Sequence, residues 1–156
     1  MTNNETNQQA QLLTSDSAYD WMDFSQFEAG FDVEKLQARV LEKGFGYHCS
    51  RFAALIKGAD IKKLQARVLE IGNGEDCMSF AATVKGADIE KLQARVLKIG
   101  TFEDCCNFAV HVEGADKDRI QVHMEELELF MAAIAEEEFT AGYGDVYMEG
   151  RDDIED

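Results

Sequence analysis

Four cysteines and three histidines are the residues best suited to chemistry in this chain, and their spacing decides what chemistry they support. Cys49, Cys77 and Cys105 recur every 28 residues, and Cys106 adjoins the last of them. There is no CxxC, and an adjacent cysteine pair is not a zinc spacing. The three periodic cysteines fall on the apolar stripe of a helical pattern, where a thiol packs as a small hydrophobe. Helices pack about 10 Å apart, so successive copies stand beyond disulfide reach. His48, His111 and His123 share no register and accompany no nucleophile, which assigns them to packing or to the surface. No GxSxG, P-loop, HExxH or EF-hand loop is present. The residues therefore point away from an enzyme, with no catalytic residues, no metal site and no cofactor expected.

The charged residues carry more information. The net charge is −16, and it is unevenly spread. Residues 1–30 hold five acidic side chains and no basic one, residues 31–115 hold twelve of each, and residues 116–156 hold 14 acidic and 3 basic. Such a field repels nucleic acid and anionic membranes and attracts basic protein surfaces. Glu125, Glu126, Glu128, Glu136, Glu137, Glu138, Asp145, Glu149, Asp152 and Asp153 form the acidic candidate surface. Carboxylates on a rigid helix can stand in for phosphates before a basic partner, and they would speed the encounter in a salt-sensitive way. Alternatively they solubilise one end of the molecule.

Two cationic series form a second candidate. Lys35, Lys63 and Lys91 make one ladder, and Arg39, Arg67 and Arg95 make another four residues on. Stacked, they would line up as a basic ridge, open to three readings. The ridge is a solvated face paired with Glu34, Glu42, Glu70 and Glu90, or a binding face for an acidic partner or a nucleic-acid backbone, or a track for the acidic tail. Gln37, Gln65 and Gln93 flank it and would allow a repetitive ligand to be read. The strong overall negative charge weighs against nucleic acid, whose binding depends on phosphate neutralisation.

The elements that must position these residues are written three times. Val33–Gly44 reads VEKLQARVLEKG, Ile61–Gly72 reads IKKLQARVLEIG, and Ile89–Gly100 reads IEKLQARVLKIG. A fixed period of this size marks stacked supersecondary units. In the first helix of each unit, Ile61, Leu64, Val68 and Ile71 repeat at helical spacing; in the second, Cys77, Phe80, Ala81 and Val84 do. Asp60 sits at an N-cap, Gly72 at a left-handed C′ position, Glu75 and Asp76 in a first turn and Lys85 in a last turn. One helix pair cannot bury its apolar faces, so stability must come from neighbouring units.

The expected fold is all-α: a short α-solenoid of helix-turn-helix repeats. Residues 1–16 read as a disordered N-terminal segment, because they are rich in Asn, Gln and Thr. A half-repeat at 17–30 caps one end, and full repeats span 31–58, 59–86 and 87–114. A long acidic capping helix spans 117–139, and 140–156 is an acidic tail. Ile120, Met124, Leu127, Met131, Ile134 and Ala135 continue an apolar stripe along the capping helix. Leu129 and Phe130 widen that stripe, either to pack on the third repeat or to make a homodimer contact. No run of about 18 apolar residues and no basic, apolar leader is present, so the chain reads as cytoplasmic.

The repeat GADIxKLQARVLxIGxxEDCxxFAxxVKG resembles the short helical repeats found in tandem in bacterial and bacteriophage proteins. That resemblance covers residues 19–116 and implies a helical array without implying an activity. In size, acidity and absence of catalytic motifs the chain is similar to phage-encoded anti-defence inhibitors, including anti-CRISPR and DNA-mimic proteins. The partner implied is a nucleic-acid-handling protein with a basic surface.

Overall fold

A computed structural model describes the backbone of residues 32–143 and the side chains as far as residue 135. The expected half-repeat, the N-terminal segment and the tail beyond Tyr143 lie outside the described residues. Among the described residues every element is a helix: α1 (Val33–Lys43), α2 (Gly46–Leu55), α3 (Ile61–Ile71), α4 (Gly74–Thr83), α5 (Ile89–Ile99), α6 (Phe102–His111) and α7 (Lys117–Tyr143). The chain divides into two compact units, the first ending at Ile120 and the second starting at Gln121.

Apart from α2, whose N-cap is Phe45, each helix starts where its sequence supplies a side-chain acceptor. Asp32, Asp60 and Asp88 cap α1, α3 and α5, their carboxylates accepting from the N–H of Lys35, Lys63 and Lys91 at 3.1, 3.1 and 3.2 Å. Asn73 and Thr101 cap α4 and α6 reciprocally with Asp76 and Asp104, the capping-box arrangement. Helices α1, α3 and α5 then end at Gly44, Gly72 and Gly100, and a second helix turns back against each.

Packing repeats with the sequence. Within the first compact unit, α2 packs on α1, α3 and α4, and α4 in turn packs on α3, α5 and α6. Leu36, Leu64 and Leu92 are buried at equivalent places, as are Val40, Val68 and Val96. Cys49, Cys77 and Cys105, with Phe52, Phe80 and Phe108, fill the second-helix face of the same core. Ile120, one period after Leu92, is the last residue of that series and is also buried.

A polar contact joins consecutive repeats. Gln37 Oε1 accepts from the Asp60 N–H at 2.7 Å. Gln65 takes both backbone groups of Asp88, its Oε1 accepting from the N–H at 2.8 Å and its Nε2 donating to the carbonyl at 3.2 Å. Gln93 does the same to Asp116, at 2.8 and 3.0 Å. The three glutamines are 7%, 6% and 3% exposed. They are therefore internal clamps: Gln65 and Gln93 have both ends of the buried amide occupied, which leaves nothing with which to read a ligand, and Gln37 has its Oε1 occupied.

Glycine serves purposes that the sequence alone blurs. Gly72 is extended, with φ −73° and ψ 151°, so the left-handed C′ assignment is corrected. A Cβ there would lie 2.6 Å from the Val68 carbonyl oxygen, which is why no side chain is present. Left-handed backbone occurs instead at Gly58, Gly86 and Gly114, where φ is 91°, 88° and 82°. Lys85 is corrected too, because α4 stops at Thr83 and Lys85 lies in the turn beyond it.

Gly46 and Gly74 are constrained by a side chain of the next repeat. A Cβ on Gly46 would sit 2.5 Å from the Asp76 carboxyl, and one on Gly74 would sit 2.5 Å from that of Asp104. One period later the residue is Phe102, and no further repeat of this kind follows it. Helix α7 opens in the register of a fourth first helix, with Asp116, Ile120 and Gln121 at the cap, core and clamp positions. Gln121 is exposed and donates to Glu125 within its own helix at 2.9 Å. The helix then runs on to Tyr143 instead of breaking at a glycine.

Two substitutions separate these contacts from background. Gln65→Leu should lower unfolding free energy by about 1–3 kcal/mol by stranding the backbone of Asp88, whereas Gln121→Leu should change it by less than about 0.5 kcal/mol. Gly74→Ala should cost about 1–2 kcal/mol, because Asp104 can yield only by releasing the cap of α6. Urea unfolding followed by circular dichroism measures all three.

Candidate functional site

The two cationic ladders lie on the first helices, but most of their charge is already paired. Lys35, Lys63 and Lys91 reach back to the N-cap carboxylates of Asp32, Asp60 and Asp88, with Nζ–Oδ2 distances of 3.0, 3.4 and 2.7 Å. Hydrogen bonds from the side chain and backbone of Lys35 hold Asp32 below the ordinary carboxylate range, and Lys91 does the same to Asp88. For Asp60 the backbone N–H of Lys63 is the larger cause. These lysines are solvent-exposed, so the pairs screen charge more than they stabilise the fold.

The arginines are half-buried along their stems. Arg39 and Arg67 bond Glu42 and Glu70 at 3.3 and 2.8 Å. In the third repeat Lys98 replaces that glutamate, and Arg95 turns to the carbonyl of Glu70 at 3.5 Å. Five of the six ridge cations thus sit in local ion pairs, and Arg95 bonds a backbone carbonyl instead. The partners include Glu42 and Glu70, with the N-cap aspartates taking the places assigned to Glu34 and Glu90. A nucleic-acid backbone would have to displace these carboxylates before it could be neutralised.

A cleft of about 320 Å³ flanks α1 and includes Val33, Glu34, Ala38, Leu41 and Lys63. The other polar groups lining it, Gln37 and Asp60, bond one another and Lys63. It therefore lacks the convergent, unoccupied polar groups that fix a small ligand.

The cysteines behave as core. All four thiols are unbridged, and the three periodic ones are fully buried. Burial pushes the thiols of Cys49 and Cys77 up to about 11 and raises that of Cys105, the opposite of what a nucleophile needs. Cys106 is half-buried. Among the described residues no group of His, Cys, Asp or Glu is arranged to hold a metal ion.

His48 has a role that its lack of a shared histidine register concealed. It occupies the N3 position of α2, where Asp76 and Asp104 stand in the later repeats. Its Nδ1 accepts from the Phe45 N–H at 3.1 Å, so only the unprotonated ring can perform the capping role. Desolvation lowers its pKa first, Arg51 lowers it further, and Asp76 opposes both. The signal was available by comparing position 48 with 76 and 104 across repeats rather than with the other histidines.

The acidic candidate surface falls on α7 and beyond it. Glu125, Glu126 and Glu128 are exposed on that helix. Glu136, Glu137 and Glu138 belong to the same helix, and their side chains lie outside the described set. Asp145, Glu149, Asp152 and Asp153 lie outside the described residues. Leu129 and Phe130 are 72% and 62% exposed, and no residue from 121 to 135 is buried. No helix among the described residues is long and apolar enough to cross a membrane.

The His48 cap makes a pH prediction. A lowered folded-state pKa means that the unfolded chain binds the proton more tightly, so stability is complete above the unfolded value and falls as pH drops. The loss should begin as pH passes below 6.5, well above the window near 3.8 where Asp32, Asp60 and Asp88 take up protons. His48→Gln keeps an acceptor without a titration and should remove the upper step from a series of melts between pH 8 and pH 5. Comparison of the chain with protein-family models, with curated proteins and with solved structures returns no match.

Proposed function

We propose that this chain is a non-enzymatic protein-binding module: a short α-solenoid of helix-turn-helix repeats that serves as a stem and presents an acidic C-terminal helix to a basic partner. The observation that carries this reading is the contrast between the two parts of the chain. In the repeats, the ladder residues Lys35, Lys63, Lys91, Arg39 and Arg67 are paired with nearby carboxylates, and Gln37, Gln65 and Gln93 with the next repeat's backbone. Along α7, Glu125, Glu126 and Glu128 stand exposed beside exposed apolar side chains.

A nucleic-acid-handling protein is the fitting class of partner, since its phosphate-binding face is basic. Carboxylates seated on that face would make the chain an inhibitor, as an anti-CRISPR-like anti-defence protein of a bacteriophage would be, acting in the cytoplasm of the infected cell. The net charge of −16 supports this class. Direct nucleic-acid binding through Lys35, Arg39, Lys63, Arg67, Lys91 and Arg95 is the weaker reading, because five of the six are already paired with carboxylates and leave little cation to release phosphate counterions. A homodimeric scaffold is the second reading, favoured by the exposure of Leu129 and Phe130.

Affinity capture from bacterial lysate at about 0.15 M salt, near a Debye length of 8 Å, should retain basic proteins on the wild-type chain. The variant carrying Glu125→Lys, Glu128→Lys, Glu136→Lys and Glu137→Lys should lose them. If that variant is helical and still captures the same proteins, the acidic surface is not the interface.

A further inference from the structure

Helix α7 carries an apolar seam as well as its carboxylates, and the two together specify a partner more narrowly than charge alone. Met124, Leu127, Met131 and Ile134 are spaced by three, four and three residues, the alternation by which one helix lays a stripe along another. Phe130 falls on the edge of the same arc. Phe130, Met131 and Ile134 are exposed, and Met124 and Leu127 are half-buried. From their angular positions, Glu126 borders the arc on one side and Glu128 on the other, both exposed.

We infer that this seam is the docking site for a cationic amphipathic helix of another protein, which lays its apolar stripe on Met124, Leu127, Met131 and Ile134 and its Lys or Arg residues against Glu126 and Glu128. Charge selects this occupant over a second copy of the chain. Two copies paired along the seam would face each other's glutamate borders, and like charges at that spacing oppose pairing. The stripe also covers only about two heptads, short of the three or four that sustain a coiled coil on apolar contact alone, so the flanking charges must contribute. Two methionines in the seam let it repack around partners of differing shape.

The inference rests on the acidic-surface reading, and the test separates the two. A fluorescent synthetic helix of about 18 residues, or five turns, is built from Leu and Lys with Leu on one stripe, beside a scrambled peptide of the same composition. Each is titrated with the full chain at about 0.15 M salt and followed by anisotropy. The striped peptide should bind at least about tenfold more tightly than the scrambled one, a difference of about 1.4 kcal/mol. Leu127→Gln with Met131→Gln should erase that preference, and Glu126→Lys with Glu128→Lys should abolish binding of both peptides. Gln and Lys are good helix formers at exposed positions, and circular dichroism checks that α7 persists. Equal binding of the two peptides, or no effect of the glutamine pair, overturns the seam while leaving the acidic surface standing. Binding that survives the lysine pair, or no binding at all, overturns both. A dimer mass in sedimentation that the glutamine pair reduces to monomer assigns the seam to a second copy and overturns the inference.

Discussion

Gln65 holds both backbone polar groups of Asp88, and much of the repeat geometry follows from that contact. Asp88 is the N-cap of α5, so its N–H and C=O sit just outside a helix, where no intrahelical partner is available to the N–H. A buried amide on the preceding first helix supplies one acceptor and one donor at the required separation. The contact fixes the start of α5 relative to α3, and with it the register in which Leu92 meets the core. Apolar packing alone would tolerate sliding, because Leu, Val and Ile of neighbouring repeats are interchangeable in shape. A buried amide that must satisfy two groups allows little sliding, since a shift of one residue would leave two polar atoms unpaired. Repetition then follows: Gln37, Gln65 and Gln93 each define where the next first helix begins.

The same logic shows how the array is ended. Gly46 and Gly74 exist because the next repeat's aspartate fills the space where a Cβ would be. Phe102 fills the equivalent position in the third repeat, a residue that a following repeat of the same type would exclude. Gln121 stands at the clamp position of a fourth first helix but bonds Glu125 within its own helix. Where the glycine that should end this helix is missing, the helix continues to Tyr143. The sequence departs from the repeat at several positions within about one period, and one helix is extended there.

Much of this was legible in the sequence, because the period puts physically equivalent residues side by side. The N-cap aspartates, the buried Leu, Val, Cys and Phe positions and the all-helical class follow from periodicity and capping rules. The failures have a common physical cause. Gln65 sits between Leu64 and Ala66 on what reads as a polar flank, and nothing local reveals that an amide there meets a backbone 23 residues away. Gly72 looked like a left-handed C′ glycine because most helix-ending glycines are, yet it is small for the sake of the Val68 carbonyl, a steric reason invisible to pattern. The role of His48 shows only against Asp76 and Asp104, its equivalents one and two periods on, and not against the other histidines. For the candidate surfaces, sequence located the charges but could not tell paired from unpaired, and pairing is what separates Lys63 from Glu126.

That distinction bears on where specificity can reside in a repeat protein. A ladder presented three times offers a partner the same group three times, and here every copy but Arg95 is already engaged by a carboxylate one turn away. Its net field is close to zero, because residues 31–115 hold equal numbers of acidic and basic side chains. Recognition needs groups that gain on binding, meaning charges without local partners and apolar area still in contact with water. Helix α7 carries exposed carboxylates, of which Glu125 accepts a hydrogen bond from Gln121 at 2.9 Å, and exposed apolar area, and it has them because it left the repeat pattern. Its carboxylates continue past the point where a first helix would have stopped, and its methionines and phenylalanine occupy turns that have no counterpart in α1, α3 or α5. The repeated spacing places equivalent residues in equivalent surroundings, and the break in that spacing leaves exposed carboxylates beside exposed apolar side chains on α7.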